Sequence, residues 1–116
     1  MIVAVAYNNG EIGEHFGHAE MFALYDYPDM EVESCRKVLV ECGDRHGHAA
    51  MAQLMKDNGV DAVIVGNIGA EGRAELLSMG IVPIAGYCGD ADTAADMLIE
   101  GRLPIVDGRE GALPRG

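Results

Sequence analysis

Residues 61–85 read DAVIVGNIGAEGRAELLSMGIVPIA, and this stretch decides the fold. Asp61 to Val65 is an apolar run of strand formers, the pattern of a strand covered on both faces. Residues 70–79 read as a helix closed by Gly80, and Ile81 to Ala85 read as a second strand. A strand, a helix and another strand in succession imply parallel strands joined by a right-handed crossover. Pro83 places the second of these strands at a sheet edge, because proline cannot donate to a central ladder.

Working outward, residues 91–100 repeat the helical pattern, with Asp90 as N-cap and Gly101 as stop. Upstream, Met51, Leu54 and Met55 fall at helical spacing before an Asn58-Gly59 stop. At the start, residues 2–6 (Ile-Val-Ala-Val-Ala) are an unbroken apolar run and read as a buried strand. Residues 21–27 are rich in strand formers, Pro28-Asp29 makes a turn, and 30–40 continue as a polar-alternating strand, so the pair reads as a hairpin. The expected fold is a single α/β domain with a five-stranded mixed sheet and packed helices. It is expected to span residues 1–104. From Leu103 onward the chain holds two prolines and three glycines, and the remainder, 105–116, reads as an extended or flexible tail.

Composition narrows the function. Eight Lys+Arg against nineteen Asp+Glu give a net charge of −11, which argues against nucleic acid and anionic membrane as partners. Six aromatic side chains, none of them Trp, are too few for a platform on which bases stack. The longest apolar run falls far short of the roughly 18 residues a membrane span requires. The N-terminus lacks the basic segment of a secretory signal. Three cysteines cannot all pair within one chain. The expected setting is the reducing cytoplasm. Sixteen glycines, without a collagen-like period, need a local explanation.

Histidine and cysteine give one. If the first, third, fourth and fifth expected strands run parallel, the loops leaving their carboxyl ends are 8–18, 41–47, 66–70 and 86–90. These loops hold His15, His18, His46, Cys42 and Cys88, with His48 one residue into the next helix. Open α/β sheets bind ligands just outside the carboxyl ends of their strands. Imidazole and thiolate suit iron, zinc and copper, so His15-Phe-Gly-His18 reads either as a ligand pair or as an exposed loop with one capping histidine. Cys42-Gly-Asp-Arg-His46-Gly-His48 joins thiolate and imidazole in one loop, although Cys-x3-His-x-His is not a zinc-finger spacing. Cys35 falls inside the expected third strand and reads first as a small buried side chain. Cys88 is a ligand at the edge of the site or an inert loop thiol. Gly66-Asn-Ile-Gly69 lies between strand and helix, where backbone amides favour an anion, yet it is neither a Walker loop nor a dinucleotide fingerprint. No nucleophile, base and orienting group fall into a catalytic order.

The pattern Ala6-Tyr-Asn-Asn-Gly10, His15-Phe-Gly17 and Phe22-Ala-Leu-Tyr25, followed by Met51 to Gly69 with its Val-Ile-Val-Gly-x-x-Gly turn, resembles the dinitrogenase iron–molybdenum cofactor biosynthesis family, the nitrogenase accessory factors. The resemblance extends from residue 1 to about Pro104. It implies a ribonuclease-H-like mixed sheet and a non-catalytic carrier of iron–sulfur or iron–molybdenum clusters, with cluster donor or acceptor proteins as partners. It makes His15 the first candidate ligand and matches Cys35, Cys42, His46 and His48 to the third-strand cysteine and Cys/His-bearing loop that some members carry. In the resulting expectation a cluster docks at the carboxyl edge on His15, helped by Cys42 or His46. Gly17, Gly66 and Gly69 let backbone amides approach its sulfides.

Two other classes stand beside the carrier. A metal-dependent hydrolase on a ribonuclease-H-like frame needs carboxylates on the first strand, and Ile2 to Asn9 carry none. A regulatory or interaction domain would leave the histidines without a metal.

Overall fold

Strand β1, Ile2–Asn8, is the centre of the sheet, and Val3 to Ala6 are completely inaccessible to solvent. Successive side chains on a strand face opposite sides, which divides the core in two. Ala4 and Ala6 pack with Phe22, Val63 and Val65 beneath helices α1 (His48–Asp57) and α2 (Ala70–Ser78). Val3 and Val5 pack with Ala23, Tyr25 and Ile64 beneath helix α3 (Ala91–Ile99). The computed structural model that shows this describes residues 1–103 and the backbone of Gly111–Ala112.

β3, Met21–Asp26, lies antiparallel to β1, and β4, Arg36–Glu41, lies antiparallel to β3. On the other side β5, Ala62–Val65, is parallel to β1, and β6, Val82–Ala85, is parallel to β5. The order is β4-β3-β1-β5-β6, with β2, Glu11–Ile12, folded back on β1 as a sixth strand. Pro83 therefore sits on an edge strand, as its chemistry requires. The helices stop at Gly59, Gly80 and Gly101, each with φ between 68° and 75°, a conformation glycine adopts without a Cβ penalty. Asp90 caps α3 through a 2.8 Å bond from the Thr93 amide.

Three expectations are corrected. The sheet has six strands, because Asn9 (φ 49°) and Gly10 (φ 88°) make a tight turn that returns β2 onto Tyr7 and Asn8. The strand expected over 30–40 begins only at Arg36, opposite Asp26. Before it, Met30 takes a positive φ of 58° and Val32–Ser34 form a 3-10 turn, closed by the Ser34 hydroxyl on the Glu31 carbonyl at 2.8 Å. Cys35 thus caps that turn instead of lying in a strand.

Beyond the main sheet, β7, Tyr87–Cys88, pairs with β8, Gly111–Ala112. The rest of the expected tail over 105–116 lies outside the described residues. No described helix is long and apolar enough to cross a membrane.

Candidate functional site

The segment from Gly10 to Glu20 is the hub of the carboxyl edge, and backbone hydrogen bonds tie it to every neighbouring loop. The Gly13 amide donates to Ala6 at 2.6 Å, and Gly13 and Glu14 accept from the amides of Gly66 (2.9 Å) and Asn67 (2.6 Å). Gly17 accepts from Gly47, Glu20 from Cys42, and Gly10 from Ala91, each at 2.9 Å. The Ile12 amide donates to Gly89 at 2.8 Å. A loop held at this many points is positioned before any ligand arrives, which lowers the ordering cost of binding.

Between this loop and the starts of α1 and α2 lies a cleft of about 300 Å³, lined by His15, Phe16, Gly17, His18, Gly47, His48, Asn67, Ile68, Gly69, Glu71 and Gly72. His15 and His18 also border a neighbouring cleft with Tyr7, Asn8, Glu14 and Glu20. His18 borders a third, with Glu20, Glu41, Gly43 and His46. The four histidines therefore surround one region of the surface, with His18 at its centre. His48 Nε2 lies 3.3 Å from a Glu71 carboxylate oxygen. Among the described residues no three His, Cys, Asp or Glu side chains stand close enough to enclose a single metal ion.

Both helices that open onto the first of these clefts start at glycine. Gly47 (φ 91°) and Gly69 are the N-caps of α1 and α2, and neither helix has a side-chain cap, unlike α3 with Asp90. A Cβ built on either glycine would meet nothing within 4 Å, so the space before the first-turn amides is open. Uncapped amides and the positive ends of two helix dipoles converge on one cleft and favour an anion there. The sequence reading placed Gly69 at such a turn. It missed Gly47, Asn67 and the joint effect of the two helix ends; a glycine in each N-cap position was the signal available.

The thiols stand elsewhere. Cys42 was expected as a loop ligand, but it is 1% exposed in the core beside Phe16, Phe22 and Met51. Burial pushes its thiol pKa up, against a smaller lowering by Arg45, so the thiolate that a metal needs is disfavoured. Cys35 packs on the opposite, α3-facing core, where burial and then the carboxylates of Asp96, Asp92 and Asp26 raise its pKa against a hydrogen bond with Tyr27. Cys88 is exposed on β7. Gly66 also departs from expectation: its amide is taken by Gly13, and an added Cβ would stand 2.9 Å from the Cα of Glu14. It packs loop against loop, and its amide is already engaged. Gly17 and Gly69 do line the cleft.

Fold and site together define a small α/β domain with an imidazole- and glycine-lined cleft at the carboxyl edge of a mixed sheet. The chain belongs to the family described as dinitrogenase iron-molybdenum cofactor, whose model matches residues 1–101. It is 27% identical over 107 residues to the uncharacterized protein MJ0580 of Methanocaldococcus jannaschii, with 89% of each chain covered. Among solved structures it is similar to PH0822 (TM-score 0.81, 24% identity, 93% of this chain and 96% of that one). It is also similar to the apo form of the orange protein from Desulfovibrio gigas (TM-score 0.77, 19% identity, 95% and 96% covered). These two likenesses are of fold. The family places the chain among proteins of cofactor-related processes.

Proposed function

We propose that this protein is a non-catalytic, cytoplasmic carrier that binds an iron–sulfur or iron–molybdenum type cluster for assembly or delivery to a partner protein. The observation that carries this reading is the convergence of His15, His18 and His48 with two glycine-capped helix starts on one cleft. Metal–sulfide clusters are anionic and present sulfides that accept hydrogen bonds, and the cleft offers amide donors and imidazoles. A cargo must also leave. Few coordinating groups suit release better than a closed cage of four thiolates, and the buried Cys42 fits that economy. His15, on the pinned hub loop and bridged to Asn67, is the first ligand in this reading, with His18 and His48 beside it and His46 in the adjoining cleft. The frame is read as ribonuclease-H-like but without carboxylates on β1, whose sequence is IVAVAYN.

Anaerobic titration of the protein with isolated iron–molybdenum cofactor or a synthetic iron–sulfur cluster, followed by visible absorption, tests the proposal. The parent chain takes up cluster, and His15→Ala and His18→Ala each weaken uptake at least tenfold. Uptake unchanged by both substitutions refutes this site.

A further inference from the structure

The two edges of the main sheet are protected unequally. β6 carries Pro83, which removes a donor from one edge. β4 at the other edge pairs with β3 through six successive residues from Arg36 to Glu41, with no bulge and no proline. Every second residue of β4 turns its N–H and C=O away from β3, where no other described strand pairs with it, a template for another strand. The side chains along it are unusual for such an edge: Val38 is 59% exposed and Leu39 48% exposed, on opposite faces. Two basic residues and one acid give the strand itself a charge of +1 in a chain of −11, so it carries no excess of acid to repel a second copy.

We propose that β4 is a self-association edge, pairing antiparallel with β4 of a second copy to continue the sheet across a two-fold axis. A two-fold axis perpendicular to the sheet keeps like faces together, so directly opposed residues must be an even number of positions apart in sequence, or identical. Centred on Leu39, that register sets Leu39 against Leu39, Val38 against Val40, and Lys37 against Glu41 at both ends. Every direct pair within the strand is then apolar or oppositely charged, with Arg36 opposite Cys42 just beyond the other copy's strand. Centred on Val38 instead, it opposes Lys37 to Leu39 and Arg36 to Val40, which pairs charge with hydrocarbon. Lys37 is already held: its ammonium donates to Asp92 at 2.7 Å and to Tyr7 at 3.1 Å, which leaves a third donor for Glu41 of the other copy. One strand pair is a small interface, so the dimer is weak and concentration-dependent.

Sedimentation velocity on the full chain from about 10 μM to 1 mM tests this, in buffer with enough salt to screen the net charge to roughly 10 Å. The sedimenting mass is expected to rise from 12.3 kDa toward twice that value. Leu39→Lys sets like charges face to face on the axis and holds the protein monomeric with its circular dichroism unchanged; Val82→Lys, on the β6 edge, leaves association unaltered. The register is read separately by oxidation: Leu39→Cys forms at least tenfold more covalent dimer than Val38→Cys or the parent. A parent chain monomeric throughout, an association that survives Leu39→Lys, or equal crosslinking at 38 and 39 would each overturn the proposal.

Discussion

A methyl group on Gly66 would lie 2.9 Å from the Cα of Glu14 and 3.2 Å from its carbonyl oxygen, both backbone atoms that cannot swing aside. Gly66→Ala is therefore expected to destabilise the fold by about 1–3 kcal/mol, through displacement of the hub loop. The urea midpoint of the variant against that of the parent measures it. Cys42 makes the complementary case. Its side chain is packed in the core and its thiol is kept protonated by burial, so Cys42→Ala should cost about 1 kcal/mol as a small cavity and leave cluster uptake unchanged. Loss of uptake with unaltered stability would restore it as a ligand. A sequence displays cysteine and glycine alike whether they line a cleft or fill a core. Which role each takes depends on neighbours distant in the chain: Glu14 for Gly66, Phe16 and Met51 for Cys42.

At the scale of elements, the helix starts divide by function. Asp90 caps α3, whereas α1 and α2 begin at bare glycines facing the cleft. Gly69 has φ −74° and open space at its Cβ position, so Gly69→Asp fits without strain and supplies the missing cap. It should stabilise the protein by about 0.5–1 kcal/mol while weakening cluster uptake, because the carboxylate takes the amides and adds negative charge where the cargo sits. Thermal melting and the titration above measure the two halves. On the other face, α3 is fastened to β3 by two hydroxyl-to-carboxylate bonds, Tyr25 to Asp92 at 2.6 Å, and Tyr27 from just beyond the strand to Asp96 at 2.8 Å. Burial first, and then those carboxylates, raise both phenol pKa values far above the ordinary 10. An acid whose pKa is raised by folding gives stability that is whole below its unfolded value and is lost as pH rises above it. Stability should thus begin to fall above about pH 9, where the Cys35 and Cys42 thiols, also raised by burial, ionise in the unfolded chain. Above about pH 10 it should fall more steeply, by about 1.4 kcal/mol per pH unit for each tyrosine ionised only in the unfolded chain. Urea midpoints between pH 8 and 11.5 measure this, and Tyr27→Phe should lessen the slope.

Across the whole molecule, β1 is bracketed by β3 and β5 in the sheet and by helices on both faces, while β4 and β6 are the edges. Amide exchange should be slowest in Val3–Ala6 and Val63–Val65 and markedly faster in β4, unless self-association protects that edge; exchange measured at about 20 μM and 1 mM separates the two. The net charge of −11 is not concentrated at the cleft, where among the described residues the only acidic lining side chain is Glu71, beside His48.

By itself, the sequence determined the alternation of strand and helix from Asp61 onward, the helix stops at glycine, the edge position of Pro83 and the gathering of histidine-bearing loops at one end of the sheet. These are local matters: apolar periodicity, the conformational freedom of glycine and the missing amide of proline act within a few residues. It also carried a signal that went unread, the Asn9-Gly10 dipeptide that returns β2 onto β1. Only the tertiary structure decided that Cys42 faces inward, that Gly66 serves loop packing, that residues 30–35 find no partner strand, and that the starts of α1 and α2 meet across His48 and Gly69 in one cleft. The physical reason is that burial, pKa and the convergence of helix dipoles are set by which distant segments meet in space, and these meetings leave no mark on the local pattern of residues.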